Sequence, residues 1–162
     1  MPHVLVAGRI HDAGLARLRA APGVTLDVVD AVSTDAYAPL APKADAILLR
    51  TQPLPRSVIE TATRLKIVSR HGVGYDAVDE AALTERGIPL AIVGDVNSRG
   101  VAEHAMGLIL ALAKRTIEYD AHTRRSDWGF RNSLTAMELA GKELLIVGFG
   151  RIGRHVAAMA DA

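Results

Sequence analysis

Short, continuous apolar runs separated by segments of helical spacing are the sequence feature that most constrains this fold. Helices are predicted between the runs over residues 12–20, 55–63 and 79–86, with Pro55 in a first turn and Asp79 as an N-cap. Strands buried on both faces read as unbroken apolar runs, and parallel strands need such crossover connections. The pattern predicts an α/β fold with a doubly wound parallel sheet that helices cover on both faces. The five runs before Asp95 are His3–Ala7, Val24–Val29, Ala44–Leu49, Leu65–Ser69 and Pro89–Val93.

Composition narrows the class of protein further. Lys and Arg number 19 against 18 Asp and Glu, and this net charge of +1 gives no reason to expect a nucleic-acid or anionic-membrane partner. The longest apolar run, Ala105–Ala113, is far shorter than the roughly 20 residues of a membrane-spanning helix. Cysteine is absent, which excludes disulfides and fits a reducing cytosol, so we expect a cytoplasmic protein. The six histidines are scattered without ligand spacing, so no metal site is predicted.

A long apolar helix is predicted after the fifth run. Asn97 and Ser98 offer an N-cap, and the helix is expected to extend from Arg99 to about Asp120. Its centre is apolar almost all round, which predicts burial on several sides. We place the domain boundary here, with residues 1–97 as a first domain and residues 98–162 as the junction helix and start of a second. The polar stretch 121–142 is predicted to be a loop with at most a turn of helix.

A glycine-rich turn follows the last apolar run. Glu143–Val147 predicts a strand, and Gly148, Gly150 and Gly153 complete the pattern G-x-G-x-x-G, with a helix over residues 151–162. In this pattern the first glycine makes the turn, the second lets backbone approach phosphate, and the third lets helix pack against strand. The N–H groups and dipole of the helix then face the phosphates. We therefore predict a dinucleotide-binding loop at residues 148–153.

A second match to the glycine pattern lies at residues 72–77. Its turn contains Asp76, whose carboxylate would repel a pyrophosphate, and the next helix is predicted to begin only after Asp79. The turn at Gly72 and Gly74 is therefore predicted to have a role other than pyrophosphate binding. Two glycines at the end of a strand expose backbone N–H groups, and such a nest suits a small carboxylate. A tight turn without a ligand fits these residues equally well.

Four segments together resemble the D-isomer-specific 2-hydroxyacid dehydrogenases. They are Leu48–Thr51, Leu65–Asp79, Asn97–His104 and Glu138–Gly153, which stand in the family's order. The resemblance extends over essentially the whole chain. The resemblance implies two Rossmann-like domains with an active site in the cleft. A Rossmann/flavodoxin-like N-terminal domain would hold substrate. Of the second domain, which would hold NAD, we expect only the first strand and helices within these residues.

The resemblance also implies roles for individual residues. Backbone N–H groups of Val73 and Gly74, in the turn that begins at Gly72, would hold the substrate carboxylate. Arg50 would lie near the distal group of the substrate, although an exposed surface charge is an equal alternative for Arg50. Asn97 and Val101 would sit at the domain junction beside the nicotinamide. The cofactor loop would comprise Gly148, Phe149, Gly150, Arg151, Ile152 and Gly153.

The chemistry implied by the resemblance is reversible oxidation of a D-2-hydroxy acid to a 2-oxo acid. NAD would accept the hydride, and NADP is not excluded. The family's catalytic Arg, Glu and His all follow the glycine motif, so we assign no catalytic residue here and expect these 162 residues to be an inactive N-terminal fragment. A homodimer is the family expectation for the full-length enzyme. Two alternatives stay open, namely a non-catalytic carboxylate- or nucleotide-binding module and a corepressor-like pseudo-enzyme.

Overall fold

A computed structural model describes residues 1–161, which divide into two compact units, one of residues 1–94 and one of the described residues from 95 onward. The first unit is built on one five-stranded sheet in the order β2-β1-β3-β4-β5, and every neighbouring pair is parallel. This confirms the predicted α/β fold, and each of the five strands predicted before Asp95 is present within two residues at either end. The strands are β1 His3–Ala7, β2 Thr25–Val29, β3 Ala46–Leu49, β4 Ile67–Arg70 and β5 Leu90–Ile92.

The connections between the strands are helical. The three predicted helices are present as α1 Asp12–Ala20, α3 Arg56–Thr61 and α4 Glu80–Glu85. An additional helix, α2 Thr34–Tyr37, and a 3-10 helix, Ala38–Lys43, connect β2 to β3 and were not predicted. The 3-10 segment contains two prolines, which obscure a helical pattern in the sequence.

The core of the first unit lies on one face of its sheet. Leu5, Ile47 and Val68 are completely buried there against α3, α4 and the 3-10 helix. Burial raises the pKa of Tyr37, in this core, to about 12. On the opposite face, which carries α1, Val28 and Ile67 are each 39% exposed. Within residues 1–94 the prediction that helices cover both faces is therefore correct for one face and incomplete for the other.

The second unit has two helices where one long helix was predicted. The expected single helix is two, α5 Ser98–Ala113 and α6 Thr116–Arg124, because Arg115 between them has φ of +52°, in the left-handed region. A 3-10 helix, Trp128–Ser133, follows. The burial expected for the centre of the long helix is wrong, since Leu108 is 52% and Leu112 75% exposed. A uniformly apolar helix predicts burial only where another element is present to cover each side.

The last predicted strand is also absent from the described chain. Residues 143–147 form no ladder with any other strand in residues 95–161, and Leu145 is 86% exposed. A strand requires a hydrogen-bonded neighbour, and apolar β-branched composition does not supply one. The helix predicted after the glycine turn is confirmed as α7 Arg151–Ala160, while Ala162 lies outside the described residues. Across residues 1–161, every helix is too short or too polar to cross a bilayer.

Asp45 provides a pH-dependent contribution to the first unit. Its carboxylate accepts a hydrogen bond from the His3 backbone N–H at 2.9 Å and pairs with Arg64 at 2.7 Å. These contacts, the His3 N–H first, lower the pKa of Asp45 in the folded chain. A lowered folded pKa gives stability that is present above the unfolded carboxyl pKa and is lost as pH falls through the folded value.

We expect Asp45→Asn to lower the thermal unfolding temperature at neutral pH, with a deficit that shrinks as pH falls below about 4. Thermal unfolding followed by circular dichroism between pH 2 and pH 7 measures it. A deficit that stays constant over that range would show that the ionised carboxylate is not the stabilising form.

Candidate dinucleotide and carboxylate sites

The turn at residues 148–153 has the backbone that its glycines predict. Gly148 has φ of +98°, a conformation that L side chains rarely adopt. Gly150 is the N-cap of α7, so the helix begins at Arg151, directly after the second glycine. Gly153 is buried in the first turn, where a Cβ would collide with the Gly148 carbonyl oxygen. The third position of the motif therefore requires glycine, because the carbonyl of the first glycine, Gly148, occupies the space that a side chain on Gly153 would need.

The start of α7 fits a pyrophosphate. Within residues 1–161 no side chain caps this helix, so the N–H groups of Arg151 and Ile152 are left as donors. A Cβ on Gly150 would meet no atom within 4 Å, so the space beside the turn is open. Unpaired N–H groups at the positive end of a helix dipole attract a phosphate anion. The residues present thus fit the dinucleotide that the motif predicts.

The second glycine match has a different geometry. Tyr75–Asp79 separate Gly74 from α4, and the Asp79 carboxylate caps that helix by accepting from Ala82 N at 2.8 Å. The Asp76 carboxylate lies in the turn, since a Cβ on Gly74 would be 3.5 Å from Asp76 Oδ2. The predicted cap and the acidic turn are both confirmed. No helix begins at this turn, and its acidic side chain disfavours a pyrophosphate.

The same turn presents two unpaired backbone donors. In the part of the chain that the structure describes, the N–H groups of Val73 and Gly74 donate to no other residue. The Arg70 guanidinium lies against the turn, donating from Nη1 to the His71 carbonyl at 3.0 Å. A Cβ on Gly72 would be 2.8 Å from Arg70 Nη1. Two adjacent N–H groups beside a guanidinium form a suitable donor set for one carboxylate.

Arg50 lies at the same edge of the sheet as this turn. It follows β3, and its backbone N–H donates to the Ala7 carbonyl at 2.9 Å, while His71 N donates to the Leu49 carbonyl at 2.7 Å. These bonds hold the ends of β1, β3 and β4 side by side. The sheet order changes direction between β1 and β3, and ligands of open parallel sheets bind at the carboxyl ends beside such a switch point.

A cavity of about 450 Å³ opens at this switch point, and we call it the strand-end pocket. Sequence reasoning singled out only Arg50 among its residues. The others could have been found from their positions directly after apolar strands, once the order of the strands was known. The pocket is lined by Arg9, Ile10, His11, Asp12, Arg50 and His71.

Asn97 and Val101 begin α5 in the second unit. Asn97 is the N-cap but makes no side-chain capping bond, and Val101 N donates to the Asn97 carbonyl at 3.0 Å. Both residues are exposed, Val101 by 42%. Their role beside a nicotinamide stays a prediction. Among residues 1–161 there is also no group of three or more His, Asp or Glu arranged to hold a metal ion.

Comparison with known proteins identifies the family to which the chain belongs. The family model "D-isomer specific 2-hydroxyacid dehydrogenase, catalytic domain" matches residues 4–154. A D-3-phosphoglycerate dehydrogenase of Mycobacterium leprae is 37% identical over 161 residues, which are 98% of this chain and 30% of that protein.

Two solved structures share the fold. NAD-dependent formate dehydrogenase from Staphylococcus aureus, in complex with NAD, has a TM-score of 0.84 at 28% identity, covering 98% of this chain and 53% of that one. NADPH-dependent glyoxylate/hydroxypyruvate reductase from Sinorhizobium meliloti, with NADP and malonate, has a TM-score of 0.82 at 27% identity, covering 99% and 50%. The chain spans about 30% of the length of the M. leprae relative. Because the family model matches residues 4–154, the chain belongs to the D-isomer-specific 2-hydroxyacid dehydrogenase family.

Proposed function

We propose that this chain binds the substrate carboxylate and the cofactor pyrophosphate of an NAD-dependent D-2-hydroxyacid dehydrogenase. The turn at residues 148–153 carries the proposal, because Gly148 and Gly153 shape it and α7 begins directly behind it without a side-chain cap. NAD is the favoured cofactor, and NADP is the alternative, since relatives of the same fold bind one or the other. The first unit would be the substrate domain and the second would begin the cofactor domain.

The residues of this chain would bind and orient rather than transfer protons. Charge-assisted hydrogen bonds are worth about 1.5–3 kcal/mol each, so the N–H groups of Val73 and Gly74 would fix the carboxylate end of the substrate. Arg50 would face its distal end, and Asn97 and Val101 would adjoin the nicotinamide. When bound, NAD would supply the chemistry by accepting a hydride from C2. The N–H groups of Arg151 and Ile152 would hold its pyrophosphate.

We expect the purified 162-residue chain to show no oxidation of NADH with glyoxylate, hydroxypyruvate or pyruvate. The family's Arg, Glu and His follow the glycine motif, and a positioned acid–base group alone contributes about 10²–10⁴-fold to rate. The loss of NADH absorbance at 340 nm measures turnover. Turnover above the buffer rate would show that residues within this chain supply the acid–base groups.

A second candidate is a non-catalytic binding module. It is favoured by the observation that residues 1–94 contain their own complete parallel sheet and buried core. Such a module, or a corepressor-like relative, would bind a carboxylate or a nucleotide without hydride chemistry. If nuclear magnetic resonance detects no binding of D-lactate to the purified chain, the carboxylate module is rejected.

We also propose a cytoplasmic location, from the absence of cysteine. Cell fractionation would test this location.

We further propose that the protein forms a homodimer through an apolar surface on α5 and α6. Leu112 is 75% and Ile117 81% exposed, and both line a shallow groove with Leu108. Contiguous exposed apolar surface of this kind marks an interaction site. The surface lies within residues 95–161.

A double substitution of Leu112 and Ile117 by aspartate should convert the dimer to a monomer in sedimentation equilibrium. Burying two carboxylates in an apolar interface costs several kcal/mol. Val32→Asp is the matched control, because Val32 is 65% exposed in the other unit and should leave the mass unchanged. A monomeric wild-type chain, or a double variant that stays dimeric, would reject the surface.

A further inference from the structure

The turn that contains the two donors proposed for the substrate carboxylate is held by hydrogen bonds at both of its ends. At its beginning, Val93 N donates to the Gly72 carbonyl at 3.2 Å. At its end, Val78 forms an isolated parallel β-bridge with Leu54. Residues 74–77, which precede this bridge, are exposed, whereas both residues of the bridge are buried. The bridge at Leu54 therefore fixes the far end of the turn.

Leu54 is the bridging residue because both of its neighbours are proline. Neither Pro53 nor Pro55 has a backbone N–H to donate. A residue that precedes proline is also restricted to extended backbone, which is the conformation that a bridge requires. The Leu54 N–H donates to the Ala77 carbonyl at 2.8 Å, and the Leu54 carbonyl accepts from Asp79 N at 3.0 Å. The sequence Pro-Leu-Pro thus presents a single extended residue to the turn.

A buried tyrosine holds the peptide group that makes this bridge. The O–H of Tyr37, at the end of α2, donates to the Pro53 carbonyl. That carbonyl and the Leu54 N–H belong to one planar trans peptide, so the direction of one fixes the direction of the other. A continuous chain of hydrogen bonds therefore extends from the Tyr37 hydroxyl through this peptide to the Ala77 carbonyl. Hydrogen bonds in such a series polarise and strengthen one another.

The burial of Tyr37 suits it to this role. Tyr37 is completely buried in the core of the first unit, where a hydroxyl group requires a hydrogen-bond partner. Burial also raises the pKa of Tyr37 to about 12, so the phenol keeps its proton and remains a donor at neutral pH. Phenylalanine at this position would keep the ring packed and would remove the donor to the Pro53 carbonyl. Tyr37→Phe therefore separates the hydrogen bond from the packing of the core.

We propose that Tyr37 is a positioning residue for the carboxylate site. This inference rests on the function proposed above. The Tyr37 hydroxyl fixes the bridge at Leu54, and the bridge holds the N–H groups of Val73 and Gly74 in the geometry that a carboxylate needs. Tyr37 acts without contacting the substrate. It limits the conformations of the turn, so that less conformational freedom is lost when the carboxylate binds.

Titration of the ¹⁵N-labelled 162-residue chain with D-lactate tests the proposal. The amide signals of Val73 and Gly74 give the dissociation constant, and hydrogen exchange at the Leu54 and Asp79 amides reports on the bridge. We expect Tyr37→Phe to bind D-lactate about three- to tenfold more weakly than the wild-type chain, the equivalent of one neutral hydrogen bond. We also expect the Leu54 and Asp79 amides to exchange faster in this variant.

Ile88→Val is the matched control for loss of stability. Ile88 belongs to the same core as Tyr37 and is 7% exposed. It precedes β5 at the amino end of the strands, whereas the turn follows β4 at their carboxyl end. The loss of one buried methylene group destabilises a domain by about as much as the loss of one hydrogen bond. This variant should therefore bind D-lactate as tightly as the wild-type chain does.

The wild-type chain provides a second measurement, which decides the matter even if Tyr37→Phe does not fold. If the bridge holds the two donors, then a bound carboxylate must in return stabilise the bridge, because coupling between two sites is reciprocal. Saturating D-lactate is therefore expected to slow hydrogen exchange at the Leu54 and Asp79 amides of the wild-type chain.

Equal D-lactate affinities of Tyr37→Phe and Ile88→Val would overturn the positioning role of Tyr37. Exchange at the Leu54 amide that D-lactate leaves unchanged would overturn it as well. In both cases the proposed carboxylate site would stand. The absence of any D-lactate binding to the wild-type chain would overturn the proposed site and the role of Tyr37 together.

Discussion

Replacing Gly153 by alanine is expected to weaken NADH binding about 100-fold, the equivalent of losing two hydrogen bonds to a charged group. The added Cβ would collide with the Gly148 carbonyl oxygen and lie 3.4 Å from Ile146 Cγ2. The collision is with backbone, so it is relieved only if the turn and α7 move apart. Moving them displaces the N–H groups of Arg151 and Ile152 from the pyrophosphate. Fluorescence titration with NADH measures the affinity.

Gly107→Ala is the matched control for that substitution. Gly107 is also a helical glycine, in α5, but a Cβ there would meet nothing within 4 Å. Alanine should stabilise the helix by about 1 kcal/mol and leave NADH affinity unchanged. If Gly153→Ala binds NADH as tightly as Gly107→Ala does, then the close contact between Gly148 and Gly153 is not needed for the cofactor.

Replacing Gly8 by alanine should lower the free energy of unfolding by about 2–5 kcal/mol. Gly8 has φ of +102°, and a Cβ would lie 2.8 Å from Arg50 Cβ and against the Gln52 amide. Gln52 is buried and cannot withdraw cheaply, because its Nε2 donates to the Ala31 carbonyl and its Oε1 accepts from Thr51 N, both at 2.9 Å. Urea denaturation followed by circular dichroism measures the loss.

Gly23→Ala separates backbone strain from collision. Gly23 also has a positive φ, +73°, but a Cβ there would meet no atom within 4 Å. The substitution should therefore cost only the strain of the left-handed conformation, about 1–2 kcal/mol. Equal losses for Gly8→Ala and Gly23→Ala would show that Gln52 and Arg50 accommodate the methyl group and do not constrain this turn.

The parts of the fold that sequence predicts well are those determined by local composition. β1 and α1 have the predicted bounds because an unbroken apolar run and a helical repeat each specify their own structure. The segment at 34–43 escaped prediction because Pro39 and Pro42 interrupt its pattern. The strand predicted at 143–147 failed for the opposite reason, since its composition is right and its hydrogen-bonded neighbour is absent from the described residues.

The candidate sites also differ in how far the local sequence determines them. The geometry of the turn at 148–153 is predictable because Gly148, Gly150 and Gly153 lie within six residues of one another. The strand-end pocket is not, because Arg9 and Arg50 are distant in sequence and meet only through the order of the strands. Arg9 and His11 have no motif around them. Their significance follows from sheet topology, which a single sequence does not reveal.

The assignment of the two glycine turns to different ligands is the central claim, and titration of the ¹⁵N-labelled chain with NADH tests it most directly. We expect the amide signals of Gly150, Arg151 and Ile152 to shift with NADH concentration while those of Val73 and Gly74 do not. Both turns are reported in one experiment, so each serves as the control for the other. Shifts confined to Val73 and Gly74, or no shift at either turn, would contradict the account.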